Sequence, residues 1–213
     1  MSDQLNAEFY FPCPIYSIDK KEFLSSVAEV SEENLLIARA DHPLDDIYPV
    51  YMTGSFYNDP RLKEFSDYVG QTAWNILNEQ GYDVSHYLLT FSEMWTQEHY
   101  RHSSMEQHVH GGGSQIVGFY FIETPEDCSR VLFHDPRAGK VQIDLPQKDI
   151  SSATIASQMI NFTPRPGLLM FAPAWMAHSF TRHGADTPIK FVHFNLYAQY
   201  SPPASCETCA EVI

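Results

Sequence analysis

Long hydrophobic runs are missing from this 213-residue sequence, and with them any stretch suited to crossing a membrane. The opening, MSDQLNAEFYF, lacks the basic and then apolar pattern of a secretory signal, so a cytoplasmic location is expected. Basic residues are scarce: 13 Lys and Arg stand against 27 Asp and Glu, a formal net charge of −14. That balance disfavours nucleic acid and anionic membrane as partners, because both call for a positive surface. Cysteine is limited to Cys13, Cys128, Cys206 and Cys209, which do not resemble a secreted disulfide framework. Cys206 and Cys209 form a CxxC in a tail rich in Pro, Ser and Ala. The tail lacks both the second ligand pair zinc needs and the strand and helix of a redox motif. Internal repeats are absent as well. Apolar and aromatic side chains are plentiful, at 44% and 14% of residues, enough for a compact core in one domain.

The patterning changes character part-way along the chain. FPCPIYSID reads as an opening strand, KEFLSSVAEVSEENLLIARA as mostly helical, and residues 41–58 as irregular. Asp59 and Pro60 then supply an N-cap and a first-turn proline to a helix. Its apolar stripe is Leu62, Phe65, Val69, Ala73, Ile76 and Leu77, and Gly81 follows where a helix commonly stops. From residue 87, strand-like runs recur: YLLTFSEMWTQE, QIVGFYFIE, RVLFHD, KVQIDL, MINFTP, GLLMFAP, HSFTRH and IKFVHFNLYA. About eight strands preceded by helices predict a mainly β fold, a jelly-roll barrel with flanking helices. The expected organisation is one integrated domain. Residues 1–86 buttress the barrel, residues 87–200 form it, and residues 201–213 are a flexible tail. PQKDISSATIASQ interrupts the β pattern as a loop or lid over the mouth.

His108 and His110, in MEQHVHGGGSQIVGFYF, are two residues apart at the start of a strand. On extended chain they share a face with Cα atoms about 6.6 Å apart, close enough to share one ion. The glycines after them leave open space. An H-x-H decorating the surface is the competing reading. A third ligand is expected from a distant strand, and His178 in RPGLLMFAPAWMAHSF is the candidate, placed after Pro173 and a tight corner. The other seven histidines (His42, His86, His99, His102, His134, His183 and His193) show no such spacing. Imidazole ligands suit zinc, copper, iron or nickel, so residue type alone does not choose the metal.

Taken in order, HVHGGGSQIVGFYFIETPE, SRVLFHDPR, FTPRPGLLMFAPAWMAHSF and IKFVHFN resemble a family of 2-oxoglutarate/Fe(II)-dependent oxygenases of bacteria and tailed phages. The family pattern runs W-x-N, H-x-H, S-G-x-Y-Y, L-x-F-x-D-P-R, P-x-G-x-L-x-x-F-P-x-x-x-x-H and R-x-x-x-x-F-N. The likeness spans residues 95 to 195. It implies a double-stranded β-helix, the cofactors Fe(II) and 2-oxoglutarate, and dioxygen. The implied enzyme couples decarboxylation of 2-oxoglutarate to oxidation of a small-molecule or peptide substrate; a phage-encoded copy would act in host cytoplasm. His108, His110 and His178 become the metal ligands, with His110 standing where the wider superfamily has a carboxylate.

The resemblance also gives roles to four further residues. Lys190 aligns with the arginine that holds the distal carboxylate of 2-oxoglutarate, keeping the charge without the bidentate fork. Tyr120, in GFYF, donates to the same carboxylate or is a core tyrosine. Gln97 lines the cofactor pocket, on the same strand face as Trp95. Arg137, in DPR, binds a substrate carboxylate or fixes a turn with Asp135. Independently of the family, HSFTRHGADTPIKFVHF reads as a hairpin turning near Ala185. That register sets His178 opposite Val192 and Phe180 opposite Lys190, placing Lys190 diagonally from His178 at about 7–8 Å. A buried acidic partner for the ammonium is the alternative.

Two other readings stand beside the oxygenase. One is a cupin-type three-histidine metalloprotein that does not use 2-oxoglutarate, since Gly167, Pro173 and His178 are spaced as in cupins; no glutamate follows the H-x-H at the cupin spacing, however. The other is a metal-stabilised module without catalysis. Primary substrate and oligomeric state have no readable signal in the sequence.

Overall fold

The computed structural model describes residues 6–201 apart from residue 144, so the CxxC of Cys206 and Cys209 lies outside the described residues. Two helices, α1 (Leu24–Asp41) and α2 (Lys63–Glu79), each entered through a short 3-10 turn, lie before the main run of strands. Asp59 caps the approach to α2: its carboxylate accepts from the Arg61 backbone N–H at 2.9 Å, and Pro60 follows where no backbone donor is needed. Gly81, at φ 92°, takes the left-handed conformation just past the helix end. The predicted stripe of α2 is buried, Phe65, Val69 and Ala73 almost completely.

Ten strands follow a two-sheet plan. The larger sheet runs, in spatial order, β1 (Tyr16–Asp19), β8 (Leu168–Pro173), β5 (Ser114–Glu123), β10 (Ile189–Tyr200), β3 (Tyr87–His99) and β2 (Val50–Met52). The smaller is β4 (Met105–His108), β9 (His178–Phe180), β6 (Val131–His134) and β7 (Met159–Phe162). All pairings are antiparallel. This is the jelly-roll, mainly β architecture expected from the sequence.

Strand alternation creates two cores. One face of the large sheet, with Ile116, Tyr120, Phe171, Val192, Phe194 and Leu196, packs beneath α1 and α2 against Val27, Val30 and Phe65. The other face, with Val117, Phe119, Phe121, Met170, Ile189 and Phe191, meets Met105, Val131, Phe133 and Phe180 of the small sheet. Burying each of these large side chains is worth about 1.5–3 kcal/mol, so the interior between the sheets is strongly held and dry.

Three local expectations need correction. Residues 41–58 contain an edge strand, β2, paired to β3. The described residues of KVQIDL form no strand: Ala138–Gln142 is a 3-10 turn, because β6 already has β7 and β9 on its two sides and offers no free edge. The hairpin of residues 178–194 does not form. β9 pairs with β4 and β6 in the small sheet, while β10 lies between β3 and β5 in the large one.

Candidate metal centre

His108 ends β4 and pairs directly with His178, the first residue of β9. His110 lies two residues on, tied to the corner after β8 by its backbone N–H, which donates to the Ala174 carbonyl at 2.9 Å. These three strand ends bring together the one cluster of potential metal ligands found among the described residues: every ligand atom lies within 4.8 Å of the others. The ring centroids are 4.4 Å apart for His108 and His178, 5.1 Å for His108 and His110, and 5.2 Å for His110 and His178.

Neighbouring backbone sets the tautomers. The Nδ1–H of His108 donates to the Glu106 carbonyl at 2.8 Å, and that of His178 to the Met176 carbonyl at 3.0 Å. With Nδ1 carrying the proton, Nε2 is left with a free lone pair. The Nε2 atoms of His110 and His178 are buried and have no hydrogen-bond partner, a costly arrangement unless something binds there. Burial, helped by the neighbouring His108, lowers His178 to about 3 and His110 to about 4. All of this favours neutral imidazoles, the form that binds metal. The donor set fits a divalent transition metal, iron included, with no carboxylate in the cluster.

Behind the triad lies a feature the sequence reading missed. His193, on the interior face of β10, is 1% exposed, its ring 4.9 Å from that of His110 and 6.0 Å from that of His178. Trp95 and Phe119 lie against it at 4.4 and 4.5 Å. Its Nδ1 is 3.3 Å from Gln97 Nε2, and Gln97 Oε1 is 2.8 Å from His99 Nε2. Burial lowers His193 well below the ordinary imidazole value and His99 to about 3. The signal was present in IKFVHFN, where Ile189, Phe191, His193 and Asn195 alternate with Lys190, Val192 and Phe194, and the first set faces inward.

The remaining candidates separate on the same alternation. Gln97 lies inside the barrel, joined to the triad's surroundings through His193. Lys190 and Tyr120 lie on the other face and are turned away from the histidines. Lys190 Nζ is 3.1 Å from Glu32 and from Glu123 and 3.7 Å from Glu98, so its partners are the acidic ones. The expectation that it shares a face with His178 fails because it rested on the hairpin that does not form. Counting back along R-x-x-x-x-F-N from Phe194 and Asn195 in fact reaches Ile189, the inward residue beside Lys190. The Tyr120 hydroxyl donates to the Lys20 carbonyl at 2.6 Å, and its ring leans on Phe65 beneath the helices. Arg137 is exposed and bonds both oxygens of Asp135 and the Ile155 carbonyl, the turn-fixing arrangement. Among the described residues no lysine or arginine is fully buried. A cleft of about 420 Å³ opens beside His110 towards the C-terminal end of α2.

An H-x-H pair and a distal histidine thus come together at one end of a jelly roll, a donor set able to hold a metal ion. Residues 93–195 match the family profile described as "Putative 2OG-Fe(II) oxygenase". Solved structures agree in fold. A prolyl-4-hydroxylase of Pseudomonas putida is similar at 6% identity and TM-score 0.58, over 87% of this chain and 93% of that one. The non-heme alpha ketoglutarate dependent carbocyclase SnoK, from nogalamycin biosynthesis, is similar at 10% identity and TM-score 0.60, over 91% and 84%. HygX of Streptomyces hygroscopicus, crystallised with nickel, 2-oxoglutarate and hygromycin B, is similar at 11% identity and TM-score 0.55, over 87% and 83%. Curated proteins gave no match.

Proposed function

We propose that the chain is a 2-oxoglutarate- and Fe(II)-dependent oxygenase, that His108, His110 and His178 hold the Fe(II), and that the substrate reaches it through the cleft beside His110. The observation carrying this reading is the pair of buried Nε2 atoms, on His110 and His178, that have no partner among the described residues. Bound iron with 2-oxoglutarate supplies the oxidising chemistry, coupling decarboxylation of the 2-oxo acid to oxidation of the substrate. The chain contributes three preset neutral donors, and the Phe-rich interior keeps water from the buried side of the site. The cleft is lined by Tyr16, Tyr82, Tyr87 and Trp175; Asp83 is its one acidic residue, and it has no lysine or arginine. That lining suits an uncharged or cationic small molecule, or a peptide side chain, with an apolar body.

Anaerobic reconstitution tests the reading. Wild type should bind one Fe(II) per chain, and adding 2-oxoglutarate should produce the weak visible charge-transfer band of the chelate. His178→Ala and His108→Ala should each lower iron affinity by at least about tenfold, the usual minimum for losing part of a ligand set or its support. Retention of wild-type iron affinity in either variant would remove that residue from the ligand set. Iron binding with no band would favour the cupin-type reading.

A further inference from the structure

Resting on the reading that substrate enters through the cleft beside His110, we propose that the substrate is a small organic cation, an ammonium group on an apolar body, and that Asp83 selects its charge. The cleft has about 420 Å³, room for one small ligand. Three features of it favour positive charge. Asp83 is the first: it is the cleft's one carboxylate, and no lysine or arginine lines the cleft to neutralise it. The Ser85 hydroxyl and backbone N–H donate to its Oδ1 at 2.6 and 3.1 Å, which leaves Oδ2 for an incoming group. Those two bonds, aided by nearby His86, hold the Asp83 carboxyl below its usual range, so it is charged at neutral pH.

The second feature is the end of α2. Ile76, Leu77 and Gln80, from its last turn and cap, line the cleft, and that turn contains no basic residue. The partial negative charge of a helix C-terminus stabilises a cation placed beside it. The third is aromatic: Tyr82 and Trp175 line the same space and are more than half exposed. An ammonium group is attracted to the electron-rich face of such a ring, and an apolar body covers ring surface that water otherwise meets. Trp175 also links this recognition to the metal centre. It lies in the corner between β8 and β9, three residues before His178. The preceding residue, Ala174, accepts from the His110 backbone N–H at 2.9 Å and donates to the Gln115 carbonyl at 3.0 Å. A molecule held against Trp175 and Asp83 therefore lies beside His110, which lines the same cleft. An anion entering there would meet a carboxylate and the wrong end of a helix.

The test is anaerobic calorimetric titration of the Fe(II)-loaded protein with three probes that share a phenylethyl body and differ in charge: phenethylamine, 2-phenylethanol and 3-phenylpropionate. At about pH 8 an ordinary imidazole is neutral, so Asp83 is read without interference from histidine. Phenethylamine should bind about three- to tenfold more tightly than the alcohol, with the carboxylate weakest of the three. Asp83→Asn keeps an acceptor for Ser85 and removes the charge. It should weaken phenethylamine by roughly two- to fivefold, the scale of a solvent-exposed charge pair, and leave the alcohol within about 1.5-fold. Mn(II)-loaded protein should broaden the proton resonances of bound phenethylamine and Zn(II)-loaded protein should not, because the probe lies close to the metal. Equal binding of amine and alcohol, an unchanged preference in Asp83→Asn, or no broadening by Mn(II) would each overturn the assignment. Repeating the titration without iron separates the two readings: a protein that binds no metal yet keeps the preference would sink the oxygenase reading while Asp83 still selects cations.

Discussion

Lys190 is held 3.1 Å from both Glu32 and Glu123, with Glu98 3.7 Å away, and Arg39 pairs with two of the same acids, Glu32 and Glu98. The side chain of Glu98 is only 2% exposed, and Arg39 and Lys190 supply the counter-charges beside it. Glu123 and Glu32 raise the Lys190 value against the opposing effect of burial, in keeping with a structural cation. Lys190→Met should cost about 1–3 kcal/mol in urea unfolding, the range for losing hydrogen bonds to charged groups and stranding their partners. It should leave 2-oxoglutarate affinity of the iron-loaded protein unchanged. A large loss of that affinity with normal stability would show that Lys190 serves the co-substrate after all.

Strand β5 is the element on which both cores are built. It lies between β8 and β10, and its side chains alternate between the helical layer and the barrel interior. Gly118 occupies a helix-facing position where a Cβ would overlap the Phe194 ring and approach the Met170 carbonyl oxygen at 2.6 Å. Glycine is required there because a neighbouring strand's aromatic ring lies flush against the backbone. Gly118→Ala should destabilise the fold by about 1–3 kcal/mol through overpacking, read as a lower urea midpoint. An unchanged midpoint would mean that the Phe194 ring swings aside freely. The same close packing couples the helical layer to the sheet that carries His193.

At the scale of the whole molecule, several imidazoles are buried in neutral form. His99, His178 and His193 are at most 1% exposed, and burial lowers all three, His99 and His178 to about 3. Below about pH 6.5 the unfolded chain takes up protons at these residues and the folded chain does not. Stability of the metal-free protein should therefore fall as pH drops from about 6.5 towards about 3, by up to about 1.4 kcal/mol per pH unit for each histidine. The net charge of −14 relaxes over part of the same interval and works the other way. Comparison with His99→Phe isolates the imidazole contribution: between pH 6 and 4.5 its stability should fall less steeply than that of wild type. Parallel pH profiles for the two proteins would show that His99 protonates as readily folded as unfolded.

Much of the fold and the proposed triad could be read locally. His108 and His110 share a side because extended chain has a period of two, and Asp59, Pro60 and Gly81 mark α2 through their own backbone preferences. The apolar runs and their turn residues likewise carried the jelly roll. Which face a residue occupies depends on something else: the sheet and register its strand joins. HSFTRHGADTPIKFVHF has every local mark of a hairpin, yet β9 takes β4 and β6 as partners and β10 takes β3 and β5. Those choices arise from pairings between residues 45 to 113 positions apart. A change of sheet or a one-residue slip in register reverses which side chains meet the metal. That is why Lys190, plausible in the linear pattern, ends among carboxylates, while His193, three residues on, comes to lie beside the triad.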